Sequence, residues 1–449
     1  MTTRRAAARG NPIDAALVAL LRGHIQPLRG AQLCLAYSGG RDSTVLLSVL
    51  AKLRRRAGFT LRAVHVNHGL QAHADDWAHQ ALSVAAKIGV PAEVLSVRVA
   101  RRGSLEANAR AARYTALRAN LAAGEWLVTA HHQEDQLETL LLQLLRGAGL
   151  AGMAAMPVVA TFGAGFLLRP LLNLPRAALA DYAQRHRLQW AEDSSNLDTR
   201  FDRNFLRTTV LPLLQERWPA AATTVARAAS HLAEAQALLD LMAERQLARA
   251  AAGGALDIRV LRRLGVAEQR NALRRWIKLA GLPAPDTARL NQLTGAALQA
   301  RHDATPLLTW PGTEVRRHGY HLHAMAPLPP APLAVSWHWR RQRRIVLKGA
   351  GELSLQIGPL GDIAIEKLPG KLRLQFRTGG ERLALGAGHK PLKNLLQELD
   401  LPPWLRGRLP LVYAGDKLVA VANLWRDPAI APTKATQRRA RLQFASAFE

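Results

Sequence analysis

The chain is poor in cysteine, in acidic residues and in aromatics, and each shortage narrows what it can be. It has 449 residues and one cysteine, Cys34. That count excludes an intrachain disulfide framework, a cysteine-ligated zinc site and a two-thiol redox centre, and a reducing cytoplasm is the expected setting. Aspartate and glutamate number 33 against 61 lysines and arginines, a formal net charge of +28. Most of the bases are arginine, whose planar fork suits phosphate. A polyanion is therefore the expected partner, nucleic acid first. No apolar run is long enough to span a membrane. The opening Met1-Thr2-Thr3-Arg4-Arg5 has the twin-Arg look of an export signal. Asp14 and Arg22 break the apolar stretch that follows, so an amphipathic helix is expected over residues 13–28 instead.

A length of this order calls for two or three domains. Strands are expected at 32–37, 61–67, 93–99 and 126–129. Helices are expected between and after them, at 44–56, 75–89, 105–123 and 134–145. Strand then helix, repeated, is the pattern of a parallel sheet with helices on both faces, and ligands sit beyond the carboxyl ends of such strands. A further helix is expected over 174–187, with Pro175 near its start. Past Trp218-Pro219 the texture turns Ala- and Leu-rich, with helical periodicity over 220–251 and 270–279. The proline-rich run 327–332 reads as a stiff linker. Beyond it, short strands over 335–366 and 371–376, a helix over 390–398 and a hairpin over 409–421 suggest a small α+β domain. The expected division is residues 1–218, 219–326 (mainly helical), 327–348 (linker and basic strand) and 349–449.

The most informative segment is Ser38-Gly39-Gly40-Arg41-Asp42-Ser43, lying between a strand and a helix. Two glycines let the backbone turn tightly and approach a ligand with no Cβ in the way. The following helix offers unpaired N–H groups and the positive end of its dipole. Ser38 and Ser43 add hydroxyls. The composite is a phosphate cradle, distinct from the Walker loop because no Gly-Lys-Ser/Thr follows. Farther on, Asp135 and Glu138 lie three apart and share a helix face, as do Arg110 and Arg113. Beside a phosphate loop, paired carboxylates suit a divalent cation or an ammonium, and paired arginines suit phosphate or carboxylate. Taken alone, each pair is a solvated helix face. His131-His132 reads as a capped helix start or polar packing. Gly147-Ala148-Gly149-Leu150-Ala151-Gly152 spells a dinucleotide fingerprint but follows a helix, not a strand. Cys34 reads as a buried structural residue.

The loop resembles the signature of the N-type ATP pyrophosphatase, or PP-loop, family. That resemblance implies an adenine nucleotide alpha hydrolase-like fold and cleavage of ATP to AMP and pyrophosphate. Further segments resemble the tRNA(Ile)-lysidine synthetase family. They are 65–70 (His65 to Leu70), 108–114 (Asn108 to Tyr114), 129–139 (Thr129 to Thr139) with Leu145-Arg146-Gly147, Arg169-Pro170-Leu171-Leu172, 190–196 (Trp190 to Asn196) and 203–207 (Arg203 to Arg207). Looser matches follow at 273–276 and 310–322, and stronger ones at 376–382, Leu392-Lys393 and Pro403-Trp404-Leu405-Arg406, so the likeness covers most of the chain. One departure is Glu134-Asp135, where the family shows two aspartates. Asp135 keeps its position, and the role of Glu134 is left open.

The resemblance implies ATP and Mg²⁺ as cofactors, and the tRNA(Ile) with a CAU anticodon and free L-lysine as substrates. A homodimer is admitted, since dimers occur among relatives. ATP would adenylate the C2 oxygen of the wobble cytidine, and the side-chain amine of lysine would displace AMP. Ser38, Gly39, Gly40, Arg41, Asp42, Ser43, His65 and Asn67 are the expected nucleotide contacts. Asp42 and Asp135 would hold Mg²⁺, and Glu138 would orient or deprotonate the lysine ammonium. Arg110, Arg113 and Arg203 are candidate contacts for phosphate or the lysine carboxylate. The runs 337–344 and 437–441 are candidate RNA contacts, the second also reading as a disordered tail. Two other readings stand beside this one. A tRNA thiolase carries sulfur on cysteines or an iron–sulfur cluster, which Cys34 alone does not supply. An Arg-rich RNA-binding protein with an inactive nucleotide fold would lack ATP turnover.

Overall fold

The computed structural model describes residues 12–71, 73–100, 102–191, 198–385 and 388–448. The Arg4-Arg5 pair and most of the segment 190–196, from Glu192 on, lie outside them. The described chain falls into two compact units, one up to Leu239 and one from Asp240.

The first unit is built on a six-stranded sheet. In chain order its elements are α1 (Pro12–His24), β1 (Gln32–Ala36), α2 (Arg41–Ala57), β2 (Thr60–Asn67), α3 (Ala74–Ile88), β3 (Ala92–Ser96), α4 (Leu105–Asn120), β4 (Trp126–Val128), α5 (Gln133–Leu145), α6 (Leu150–Met153), β5 (Val159–Phe162), β6 (Gly165–Leu168), α7 (Arg176–Arg185), α8 (Asp202–Phe205) and α9 (Leu211–Arg217). The strand order is β3-β2-β1-β4-β6-β5. Every pairing is parallel except β5 with β6. The sequence reading supplied the parallel strands β1 to β4. The β5–β6 hairpin was missed because Gly163, Ala164 and Gly165 interrupt a run too short to show alternation.

Side-chain alternation along β1 explains the layers. Leu33 and Leu35 enter the larger core with Val45, Leu46, Leu50 and Tyr182, which covers the face carrying α1, α2, α3 and α7. Cys34, between them, points to the other face, where Val64, Leu117, Leu121, Leu127 and Phe162 bring in α4. Burial pushes the Cys34 thiol up to about 12, so it stays a neutral packing group. The chain runs from β1 outward to β3 and then returns to β4 on the opposite side of β1. The carboxyl ends of β1 and β4 therefore flank a topological switch point, where a ligand crevice forms.

The second unit shares the long helix Ala221–Ala250 with the first and corrects the sequence reading in two places. The middle region was expected to be mainly helical. It pairs its helices, among them Val266–Leu279 and Thr287–Gln292, with a five-stranded antiparallel sheet that includes Thr313–His318 and His321–Met325. Basic residues hid this sheet. Arg317 sits on a strand yet is fully buried, donating to the carbonyls of Ala297, Ala300 and Gly319. The C-terminal region, expected as α+β, is mostly β, with a five-stranded and a four-stranded sheet and a short hairpin.

The expected disordered tail is a strand, Arg439–Ser446, paired along its length with Gly351–Ile357. In the run 337–344, Trp337 and Trp339 are core residues, while Arg340, Arg341, Arg343 and Arg344 are exposed. The linker is tied down, with Arg408 donating to the carbonyls of Pro329, Pro330 and Gly349. Among the described residues no helix is long and apolar enough to cross a membrane.

Gly165 opens β6, and a Cβ there would overlap the Glu125 carbonyl, which is fixed by its bond from Phe166 N–H. Gly165→Ala is expected to destabilise the first unit by about 3 kcal/mol, the upper end of overpacking costs, read as a lower midpoint in urea unfolding. An unchanged midpoint would show that β6 shifts freely.

Candidate active site

At the carboxyl end of β1 the chain turns through Tyr37, Ser38, Gly39 and Gly40 into α2. Gly39 has φ +80°, a left-handed conformation that favours glycine. Ser38 and Ser43 hydroxyls lie 3.0 Å apart, Ser43 Oγ donates to the Gly40 carbonyl at 2.9 Å, and Thr44 Oγ1 donates to the same oxygen at 3.0 Å. The loop is thus closed on itself before any ligand arrives. No side chain caps α2, so its first-turn N–H groups are presented outward. The Gly39 carbonyl is held from behind by Ala191 N–H at 3.0 Å.

His65 and Asn67, expected to contact nucleotide, brace this crevice. His65 Nδ1 lies 3.0 Å from the Tyr37 carbonyl. The Asn67 amide donates to Asp75 at 2.6 Å and accepts from Gly69 N–H at 2.9 Å.

At the carboxyl end of β4 the chain enters α5 through His131 and His132. Asp135 Oδ2 accepts from the His132 backbone N–H at 2.9 Å, tying off the helix start. The His132 ring is ringed by carboxylates. Its Nε2 lies 3.5 Å from both Asp42 Oδ2 and Asp135 Oδ2, and its Nδ1 lies 3.1 Å from Glu134 Oε2. Burial opposes charge on this imidazole, but the three carboxylates outweigh it and raise its pKa to about 9. The same contacts hold Asp42, Glu134 and Asp135 below the ordinary carboxylate range against the upward push of burial, helped by Arg41 at Asp42 and Arg207 at Asp135. Glu134 also accepts from Arg176 N–H at 2.9 Å, so it fixes both the His132 ring and the start of α7. That supplies a structural role for the residue that departs from the family pattern.

Glu138 lies one turn on and is fully buried. Arg207 grips it with two bonds, at 2.7 and 2.9 Å, and reaches Asp135 at 3.1 Å. Arg203 stands 3.5 Å from Glu138 and donates to Thr139 Oγ1 at 2.9 Å. Burial pushes the Glu138 carboxyl up even with Arg207 against it. A cavity of about 90 Å³ opens beside this pair, lined by His132, Glu134, Glu138, Arg176 and Arg207 among others.

The remaining expected residues lie on α4. Arg113 Nε is 3.1 Å from His68 Nε2, and the Arg110 guanidinium stacks over the Tyr114 ring at 5.0 Å. Burial, and then Arg113, lower His68 to about 4. Burial lowers His131 to about 3, with Arg169, Arg110 and Arg203 adding to the effect against Asp135. The site therefore combines carboxylates held by His132 and Arg207 with arginines whose neighbouring histidines are neutral. The sequence reads His132 only as a helix start or polar packing, and Arg207 only as the end of the segment 203–207, with no site role for either. Arg207 was legible as the i+4 neighbour of Arg203.

Among the described residues no group of three or more His, Cys, Asp or Glu has the arrangement of a metal site. Asp42 and Asp135 nonetheless converge on one point, where the His132 N–H now stands as the cation. Two carboxylates with ligand phosphates and water are the usual set for Mg²⁺.

Loop, switch-point crevice and acidic helix together define an ATP-using domain of the PP-loop class, and residues 16–214 match the model described as "PP-loop domain". Residues 256–323 match "TilS substrate binding domain" and residues 372–444 match "TilS substrate C-terminal domain". The tRNA(Ile)-lysidine synthase of Methylococcus capsulatus is 44% identical, covering 88% of this chain and 92% of that protein. Those of Alkalilimnicola ehrlichii and Pseudomonas aeruginosa are each 45% identical, covering 87% of this chain and 89% of theirs. The chain belongs to the tRNA(Ile)-lysidine synthase family of ATP-dependent ligases.

Removing one partner of the buried Glu138–Arg207 pair leaves an uncompensated charge. Arg207→Ala is expected to cost about 3 kcal/mol in denaturant unfolding. Arg207→Met combined with Glu138→Leu is expected to recover most of that loss. Equal stability of Arg207→Ala and the unmodified chain would show that Arg203 alone satisfies Glu138.

Proposed function

We propose that this chain joins free L-lysine to C2 of the wobble cytidine in the CAU anticodon of tRNA(Ile), consuming ATP. One observation carries the reading: the self-closed phosphate loop and the Asp135–Glu138 face meet at one crevice through His132. The loop receives the triphosphate on the N–H groups at the start of α2. The cytidine C2 oxygen attacks the α-phosphorus and pyrophosphate leaves. The lysine side-chain amine, having lost a proton, then attacks C2. The C2–O bond breaks, and AMP departs with the electron pair. The modified base reads AUA in place of AUG, and the tRNA identity changes from methionine to isoleucine.

Asp42 and Asp135 are the residues that would hold Mg²⁺, which when bound offsets negative charge on the phosphates. Asp135 and Glu138 grip the Arg207 guanidinium, a contact that supports reading them as a cation-binding pair. The lysine ammonium is a second cation of the right chemistry, and Glu138, raised by burial, is suited to accept its proton. Arg110, Arg113 and Arg203 are suited to phosphate or to the lysine carboxylate. Exposed Arg340, Arg341, Arg343, Arg344, Arg438, Arg439 and Arg441 are suited to the RNA backbone, an electrostatic grip that weakens with salt. The cytoplasm, where ATP, lysine and tRNA meet, is the proposed setting.

Purified protein with ATP, Mg²⁺, labelled lysine and a CAU-anticodon tRNA(Ile) transcript tests this. Label is expected on the tRNA with an equal yield of AMP, and none when the wobble cytidine is replaced by uridine. Asp135→Asn is expected to lower the rate at least a hundredfold, in line with the loss of one charge-stabilising group. Tightly bound tRNA that never acquires label would move the assignment to a binding role.

A further inference from the structure

Arg169 follows β6 directly and has been given no duty so far. Its backbone is pinned beside the active-site turn from two sides. Thr129 N–H donates to the Leu168 carbonyl at 3.0 Å, and Arg169 N–H donates to Val158 at 2.9 Å. Its side chain is 7% exposed. Nη1 donates to the Pro157 carbonyl at 2.7 Å, and Nε is buried with no partner. Among the described residues no carboxylate pairs with it. The groups around it are the Tyr114 hydroxyl and the like-charged Arg110, and it lies close enough to His131 to lower that ring's basicity.

A buried guanidinium without a counter-anion is costly, and a second cation beside it adds to the cost. Two other arginines of this crevice illustrate the usual remedy: Arg207 lies against Asp135 and Glu138, and Arg203 lies near Glu138. Among the described residues Arg169 has carbonyl and hydroxyl partners only. Its fork is held rigid by Pro157 and its position is the ligand edge of the sheet.

Resting on the function proposed above, we propose that Arg169 is a substrate-binding residue that receives an oxyanion. The anion is a carboxylate or a phosphate, both of which match the planar fork. The free amino acid is one source, through its α-carboxylate, and the nucleotide or adenylated RNA is the other. His131, kept neutral beside it, adds no competing charge, and Arg110 adds a second cation close by. A lysine laid across the crevice would then have its two ends distinguished by sign.

The experiment compares the unmodified full chain with Arg169→Met and with Arg169→Lys, which keeps the charge but not the fork. Three readouts are taken with the CAU-anticodon transcript: pyrophosphate release from ATP without lysine, ligation of lysine, and ligation of 1,5-diaminopentane, which is lysine without its carboxylate. Thermal melts report folding. If Arg169 holds the carboxylate, the KM for lysine rises at least tenfold in both variants. The preference for lysine over diaminopentane then falls by a similar factor, while pyrophosphate release is unchanged. If it holds a phosphate, the KM for ATP rises at least tenfold and both amines lose equally. Folded variants with unchanged constants for lysine and ATP overturn the proposal. Should Arg169→Met melt early, Arg169→Lys decides alone, and full activity in both steps overturns it. An unmodified chain that fails to ligate lysine would instead sink the function itself.

Discussion

The arrangement of this active site depends on one charged ring. His132 stands at the start of α5 with Asp42 and Asp135 at one nitrogen and Glu134 at the other. Three carboxylates packed into a buried crevice would repel one another and protonate. A charged imidazole among them lets all three remain ionised. It also couples pieces distant in sequence: the phosphate loop through Asp42, the α5 wall through Asp135, and the start of α7 through Glu134 and Arg176 N–H.

The rest of the crevice follows the same logic. Arg207 pairs with Glu138 as His132 pairs with the aspartates, but there burial wins and the Glu138 carboxyl stays above its ordinary range. Burial and neighbouring arginines keep His65, His68 and His131 neutral, so positive charge near them comes from arginine. Groups of both signs suit reactants that carry both phosphates and an amine. Because the loop is closed by its own serine and threonine hydroxyls, its N–H groups are already arranged for the phosphates.

Much of this was legible in sequence. The alternation of short apolar runs with amphipathic helices fixed the parallel sheet of the first unit, and Ser38 to Ser43 between strand and helix located the phosphate loop. Asp135 and Glu138 on one helix face located the acidic wall. What was not legible was pairing at long sequence range. Nothing local says that Arg207 lies on Glu138, that Glu134 caps α7, or that His132 is charged rather than a plain helix start. The middle sheet escaped for a related reason. Arg317 breaks the apolar alternation of its strand, and its bonds to the carbonyls of Ala297, Ala300 and Gly319 make its burial tolerable. The basic run 337–344 misled in the opposite sense, since its two tryptophans are core and only its arginines face out.

His132 organises the site as an imidazolium fixed among carboxylates. Its ring signals, followed by NMR in protein labelled at histidine and assigned with His132→Gln, test that directly. In the absence of nucleotide and metal the ring is expected to stay charged through neutral pH and to titrate near pH 9. Titration at or below the ordinary histidine value of about 6.5 would contradict the account and leave the acidic wall without its organising cation.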